Sequence, residues 1–411
     1  MSMVYDGLYN CYFIEKKMNL MKRELKNKAI DLKWVLCFIC ILSALLGGFY
    51  YNRSINLSTE ANLGTDSIAV SSEMSLDEKV EAIMASMSKT EKLGQMVMIG
   101  IQGTDVTEDS LFMLHQYHIG GIVLFDRNME SKAQVANLNK NLQEQCNEKV
   151  PLFIAIDEEG GMVSRMKEDL IPPPSQRSLA NSGDSNEAYK SAYNIANELK
   201  NMGFNVNFAP VADVGNGERN FSNDANTVAQ FVRAAVDGYR HAGMVCALKH
   251  FPGIGRGEQD THVDSVVVND DFDTIYNSDI LPFRSVISNQ DLDNYMVMVS
   301  HVTYPSFAGN TPASISPVII KDILRKELGY QGIIITDDLE MGAVSNYYGF
   351  DRIGVEAVKA GADIVLVCHE YQHGVDVYLG LLEALEAGEI TQEEVDNSVR
   401  RILKYKLENI E

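Results

Sequence analysis

Basic residues, cysteines and long apolar runs are all scarce in this chain of 411 residues. Lysine and arginine total 35 against 57 aspartates and glutamates, for a formal charge of −22 at pH 7. That balance argues against nucleic acid as the main partner. Of six cysteines, Cys11, Cys37 and Cys40 fall near the N-terminus, with no lipobox around Cys37 or Cys40. Cys146, Cys246 and Cys368 are far apart and form no CxxC pair, which excludes a disulfide framework and fits buried apolar thiols. A Walker-type phosphate loop and a GxGxxG turn after the first predicted strand are also missing. A phosphate loop and a dinucleotide fold therefore have no support. No internal repeat and no second large domain is legible.

What is present begins with the one long apolar run, Trp34–Tyr51. Seven basic and four acidic residues lie within positions 1–51, a local charge of +3 that leaves −25 on the remainder. About 20 apolar residues span a bilayer, so the run is just long enough. Its basic flank, 1–33, is expected in the cytoplasm, with the C-terminal body outside as a single-pass cell-membrane protein. A cleaved signal peptide is the alternative, since Ser43-Ala44 and Gly47-Gly48 supply small residues near a cleavage point; the body is then secreted. A buried core helix is a third reading. Residues 52–74 are polar and without apolar period, and read as a linker.

The folded body is expected over 75–411. Ser75-x-x-Glu78 and Ser88-x-x-Glu91 both fit a capping box at a helix start. Eight apolar runs of strand length follow: Gln95–Ile101, Gly121–Phe125, Leu152–Ile156, Val206–Val211, Val245–Leu248, Tyr295–Ser300, Ile333–Thr336 and Asp363–Val367. Between them lie stretches with helical spacing, among them Ala188, Ala192, Ile195 and Leu199, and Val228, Phe231, Val232 and Ala235. Ser316-Pro317 before Val318–Leu328 and Gly329 reads as a cap, an N1 proline and a C′ glycine. Thr391-x-x-Glu394 opens an amphipathic terminal helix. Runs that are apolar throughout suit strands covered on both faces. Eight of them alternating with helices predict an α/β fold of one catalytic domain, a (β/α)8 TIM-type barrel, with a doubly wound open sheet as runner-up.

In such a barrel the residues just past each strand carry function. Three strand ends stand out. The third is followed by Asp157-Glu158-Glu159-Gly160-Gly161-Met162-Val163-Ser164-Arg165, a carboxylate entering a Gly-Gly turn with an arginine able to return to it. The fifth leads into Lys249–Asp264, KHFPGIGRGEQDTHVD, where Lys249 and His250 precede a glycine-containing loop that holds Asp260 and His262. A carboxylate beside an imidazole sets its tautomer and basicity. The seventh ends in Thr336-Asp337-Asp338, and two adjacent aspartates after a buried run are costly unless used or hydrogen-bonded. One is expected to face the barrel mouth and the other the scaffold, where Asp338 also fits a helix N-cap. Asp213 with Gly215, Gly217, Glu218 and Arg219 after the fourth strand is a weaker signal. A metal site is not expected, because His250, His262 and His301 come from different strand ends. An ionised carboxylate, a His/Asp proton shuttle and several groups able to grip hydroxyls suit double displacement at an acetal carbon.

These residues resemble glycoside hydrolase family 3, in its β-N-acetylhexosaminidase branch. Over roughly Ser75–Ile410 the motifs GGIVLFDRN (Gly120–Asn128), IDEEGGMVSR (Ile156–Arg165), NFAPVADV (Asn207–Val214), KHFPG (Lys249–Gly253), Asp260-Thr261-His262 and TDDLEMGA (Thr336–Ala343) occur in the family's order. The resemblance implies a retaining barrel glycosidase without a cofactor. It implies Asp337 as nucleophile, His262 as general acid/base and Asp260 as its dyad partner. It also implies that Asp157, Arg165, Arg219, Lys249 and His250 bind the N-acetylglucosamine unit. Ile254 replaces a histidine of the family loop, Gly257 a threonine, and Met162 a residue that is often basic. The expectation is an exo-β-N-acetylhexosaminidase acting on cell-wall muropeptides or related amino sugars. A family relative acting on glucosides or xylosides, a phosphorylase, and a degenerate glycan-binding barrel are the rival readings.

Overall fold

The computed structural model describes residues 74–146, 150–166, 171–255 and 264–410, all within one unit, Val70–Glu411. The Trp34–Tyr51 run lies outside the described residues, as do Asp260 and His262. Among the described residues no helix is long and apolar enough to cross a membrane.

Eight parallel strands close a barrel: β1 Val97–Gly100, β2 Gly121–Leu124, β3 Phe153–Ile156, β4 Val206–Asn207, β5 Val245–Phe251, β6 Tyr295–Val299, β7 Ile334–Asp338 and β8 Ile364–Val367. Hydrogen-bonded neighbours run in chain order, and β1 pairs with β8 in the register Val97↔Val365 to complete the ring. Closure decides for the (β/α)8 barrel over an open doubly wound sheet. Each strand is buried on both faces between barrel interior and helices, which is why its sequence shows no polar alternation.

Two strand ends differ from their apolar runs. β5 continues through Lys249 and His250 to Phe251, and β7 continues through Asp337 and Asp338. Backbone pairing runs past the apolar segment here, so charged side chains sit on the ladder itself rather than on the loop beyond. In the other direction β4 stops at Asn207, well short of the predicted Val211. Pro210 has no N–H to offer the ladder. Pairing resumes as a single bridge, Val211 with Lys249.

The helices follow their caps. Ser75, Ser88 and Thr391 each form the reciprocal bonds of a capping box with Glu78, Glu91 and Glu394. Ala188, Ala192, Ile195 and Leu199 are buried on the helix Asn186–Asn201, and Val228, Phe231, Val232 and Ala235 on Ala225–His241. The segment Val318–Glu327 departs from expectation. It is a π-helix in which Leu328 N–H donates to the Ile323 carbonyl; Pro317 is the N-cap rather than N1, while the Ser316 hydroxyl accepts the Ile319 N–H at 3.5 Å. Gly329 does occupy C′, at φ 73°.

Two charged side chains anchor the N-terminal end of the barrel. Lys406 is wholly buried; its Nζ donates to Gln95 Oε1 at 2.7 Å and to the Gly120 carbonyl at 2.6 Å, over the Phe153 ring. Burial pushes its ammonium down to about 7. Asp363, also wholly buried, accepts from Arg325, Arg401, Ser398 and the Ile334 N–H at 2.5–2.8 Å. Cys246 and Cys368 are buried free thiols, as expected, and Cys146 is a half-buried one.

Candidate active site

The turn after β3 is made by two glycines in left-handed conformations, Gly160 at φ 93° and Gly161 at φ 59°. Glu159 and Gly160 N–H both donate to the Val163 carbonyl, so the chain doubles back at once. Arg165 thereby returns to Asp157, with one guanidinium nitrogen 3.2 Å from Oδ2. Its second terminal nitrogen lies 3.4 Å from Asp126. The pairing predicted from the acid-Gly-Gly-Arg order is realised.

Lys249, projecting from β5, meets the same turn. Its Nζ lies 2.7 Å from Asp157 Oδ1 and 2.6 Å from Glu159 Oε1. Glu159 also accepts two bonds from Arg219, each at 2.8 Å, in the bidentate geometry that guanidinium and carboxylate favour. The result is a chain Arg165–Asp157–Lys249–Glu159–Arg219 across β3, β5 and the segment after β4. Burial alone would raise both carboxyls, but Lys249 with Arg165 holds Asp157 down to about 2, and Lys249 with Arg219 holds Glu159 below the usual range. The Lys249 ammonium is correspondingly raised against the opposing effect of burial. Every charge in this chain is compensated, so Lys249 and the arginines remain fixed donors for neutral hydroxyl groups.

His250, the next residue on β5, takes no part in that chain. Its Nδ1 lies 2.8 Å from Asp213 Oδ2, and its backbone N–H donates to Asp213 Oδ1. The weaker sequence signal at Asp213 thus has a partner inside the site.

At the end of β7 the two aspartates separate. Asp338 is buried. Its Oδ1 accepts the N–H groups of Glu340 and Cys368, its Oδ2 lies 3.3 Å from His369 Nε2, and its carbonyl accepts from His301 Nε2 at 2.8 Å. It caps a turn and ties β7 to β8, not a helix N-terminus. Asp337 is half-buried and accepts a bond from the Asp338 N–H at 2.9 Å. Among the described residues no cation pairs with it. The Cys368 thiol, raised by burial, also feels the carboxylates of Asp338, Asp157 and Asp337, which gathers the ends of β3, β7 and β8 around one point. His301, kept neutral chiefly by burial, feels both Asp337 and His250. Asp337 therefore shares the barrel mouth with Asp157, Lys249 and His250.

One group among the described residues has the makings of a metal site: ligand atoms of Asp338, Glu340 and His369 lie within 4.8 Å of one another. Each is already engaged. Glu340 Oε1 accepts from Glu370 N–H at 3.0 Å and faces His373 Nδ1 at 2.6 Å, its Oε2 takes the His369 N–H, and His369 faces Asp338. The group reads as a clamp on the turn after β8.

The structure thus unites Asp157, Arg165, Arg219, Lys249, His250 and Asp337 at one end of the barrel. Sequence reasoning missed Glu159, whose place between an acid and two glycines looked like a solvated turn, and the role of His301 as a backbone donor. The buried strand on either side was the available signal for both.

A closed parallel barrel whose C-terminal mouth holds an ionic cradle and a carboxylate with no cation partner among the described residues fits an enzyme of the (β/α)8 class. The model of the glycosyl hydrolase family 3 N-terminal domain matches residues 88–405, and the chain belongs to that family. It is a glycoside hydrolase. A curated protein of Nitrosomonas eutropha named beta-hexosaminidase is 36% identical over 286 residues, 67% of this chain and 80% of its own. A solved family 3 β-N-acetylglucosaminidase from Paenibacillus sp. str. FPU-7 superposes with TM-score 0.76 at 38% identity, covering 79% of this chain and 63% of that one. A β-N-acetylhexosaminidase from Beutenbergia cavernae superposes with TM-score 0.71 at 28% identity, covering 78% and 98%.

Proposed function

We propose that the chain is a retaining exo-β-N-acetylhexosaminidase that removes terminal N-acetyl-β-D-glucosaminyl units. The observation that carries this reading is the contrast between Asp337 and its neighbours. Asp157, Glu159, Asp213, Asp338 and Glu340 all face cationic or imidazole partners, whereas Asp337 has none among the described residues. A carboxylate with its charge unspent at a barrel mouth is the group suited to attack. The names carried by the relatives supply the sugar.

In this mechanism a carboxylate oxygen of Asp337 attacks the anomeric carbon. The bond to the aglycone oxygen breaks as His262 donates its proton to that oxygen. His262, now the base, takes a proton from water, and the water oxygen displaces Asp337 from the glycosyl ester. Two inversions give net retention. Asp260 would hold the His262 imidazole. Asp157, Arg165, Arg219, Lys249 and His250 would bind the sugar hydroxyls, held rigid by their mutual pairing. Cell-wall muropeptides are the proposed physiological glycans, with the enzyme outside the cell and tethered by Trp34–Tyr51 or released by its cleavage. The basic flank and apolar run support that placement.

The test is hydrolysis of an aryl N-acetyl-β-D-glucosaminide, set beside the aryl glucoside and xyloside, with and without phosphate. Wild-type turnover of the 2-acetamido substrate alone, with phosphate without effect, is expected, as is loss of most turnover in Asp337→Ala. Wild-type rates in that variant would overturn the nucleophile assignment. Glycan binding with no turnover would favour a degenerate barrel.

A further inference from the structure

Asp213 lies just past β4, where the ladder is already broken by Pro210. Its backbone is nevertheless stitched to β5: Val211 bridges Lys249, and Ala212 N–H donates to the Lys249 carbonyl at 2.6 Å. Its carboxylate is therefore placed by the barrel and not by a loop. That carboxylate is almost wholly buried and serves three donors. Oδ2 faces His250 Nδ1 at 2.8 Å, and Oδ1 accepts His250 N–H at 3.2 Å and Ile254 N–H at 2.9 Å. Burial works against its charge, but His250 and the two backbone donors hold the carboxyl below the usual range.

We infer that Asp213 is the positioning residue that fixes the His250 tautomer and presents Nε2 to the bound sugar, an inference that rests on the proposed glycan-binding role of His250. An ionised carboxylate only accepts hydrogen bonds, so the short contact requires the proton on Nδ1. In the neutral ring Nε2 is then the acceptor for a sugar hydroxyl. The third bond extends the same control to the next segment. Ile254 occupies the place of a family histidine, yet its contact with Asp213 uses the backbone N–H, which any residue but proline provides. Gly255 then passes so close to the Val214 carbonyl that a Cβ there would collide with it. One carboxylate thus sets both the imidazole and the path on which the chain leaves β5.

The test combines a spectroscopic and a kinetic readout on the full chain. In protein labelled with 15N-histidine and free of substrate, the resonance removed by His250→Gln identifies His250 among eight histidines. The wild-type ring should carry its proton on Nδ1. Asp213→Asn keeps the side-chain shape but turns an amide N–H toward Nδ1, so the proton should move to Nε2. KM for an aryl N-acetyl-β-glucosaminide should rise about tenfold, the equivalent of one hydrogen bond made poorly, and kcat should fall less. In the His250→Ala background the same substitution should add much less to KM. A wild-type ring protonated on Nε2, an unchanged tautomer in Asp213→Asn, or fully additive effects on KM would each overturn the inference. If Asp213→Asn fails to fold, the wild-type tautomer alone still decides. A KM unaffected by His250→Ala would instead remove the glycan-binding reading of His250, while the tautomer shift reports on Asp213 separately.

Discussion

His301 Nε2 lies 2.8 Å from the carbonyl oxygen of Asp338, the residue that follows the proposed nucleophile. A carbonyl only accepts, so Nε2 carries the proton and Nδ1 accepts from the Ser314 hydroxyl at 2.7 Å. The ring is wholly buried and kept neutral by that burial, with Asp337 and Asp338 opposing. The Asp338–Leu339 peptide is held from both sides, its carbonyl by His301 and its N–H by the Leu366 carbonyl, which fixes the strand end one residue past Asp337. His301→Ala removes the partner of the buried Ser314 hydroxyl and one of the two bonds to the Asp338 carbonyl, and should cost about 1–3 kcal/mol of stability in a denaturant titration. It should lower kcat more than it raises KM. An unchanged kcat in a folded variant would show that the His301 bond is structural alone.

Glu159 joins Lys249 and Arg219, and no other described carboxylate touches both. Removing it leaves the buried Lys249 ammonium with Asp157 alone and takes from Arg219 the carboxylate it grips. Glu159→Ala is expected to destabilise the protein by about 3–5 kcal/mol, measured by chemical denaturation. Glu159→Gln, which keeps the shape and one acceptor, should unfold less readily yet still raise KM for the aryl glycoside, because Lys249 then leans toward Asp157 alone.

Lys406 makes stability depend on pH in a definite direction. Its pKa is about 7 in the folded chain, against 10.5 for an ordinary lysine. Between those values the unfolded chain binds the extra proton and the folded chain does not, so stability falls as pH drops from about 10.5 toward about 7, by roughly 1.4 kcal/mol per unit. Below that the loss levels off. Lys406→Met removes the term. The unfolding free energy of wild type minus that of the variant should increase by roughly 1.4 kcal/mol per unit as pH rises from about 7 to about 10; a difference independent of pH would contradict the account.

Most of the barrel was legible because each of its strands is a short apolar run covered on both faces. Strand ends were less so. The run Val245–Leu248 looks finished where lysine appears, yet Lys249 still bridges Val211 and Phe251 still pairs with Val299, and a side-chain pattern carries no record of that ladder. The opposite error at Val206–Val211 comes from Pro210, an apolar residue that cannot donate. Within the site, Asp157, Arg165 and Asp337 announced themselves by position after a strand. Glu159 did not, because its meaning depends on Lys249 and Arg219 arriving from 60 residues and more away. Asp260 and His262 lie outside the described residues, and their roles stand on the family motif. By sequence Asp338 fits a helix cap as well as a turn, because an aspartate before a polar turn serves both.

The most direct test of the central claim is to trap the intermediate. Wild-type protein incubated with an activated 5-fluoro derivative of an N-acetyl-β-glucosaminide, whose second step is slow, should gain the mass of one glycosyl unit. Peptide mapping should then place that unit on Asp337. A label on Asp338 or any other residue, or continued turnover with no covalent adduct at all, would contradict the account.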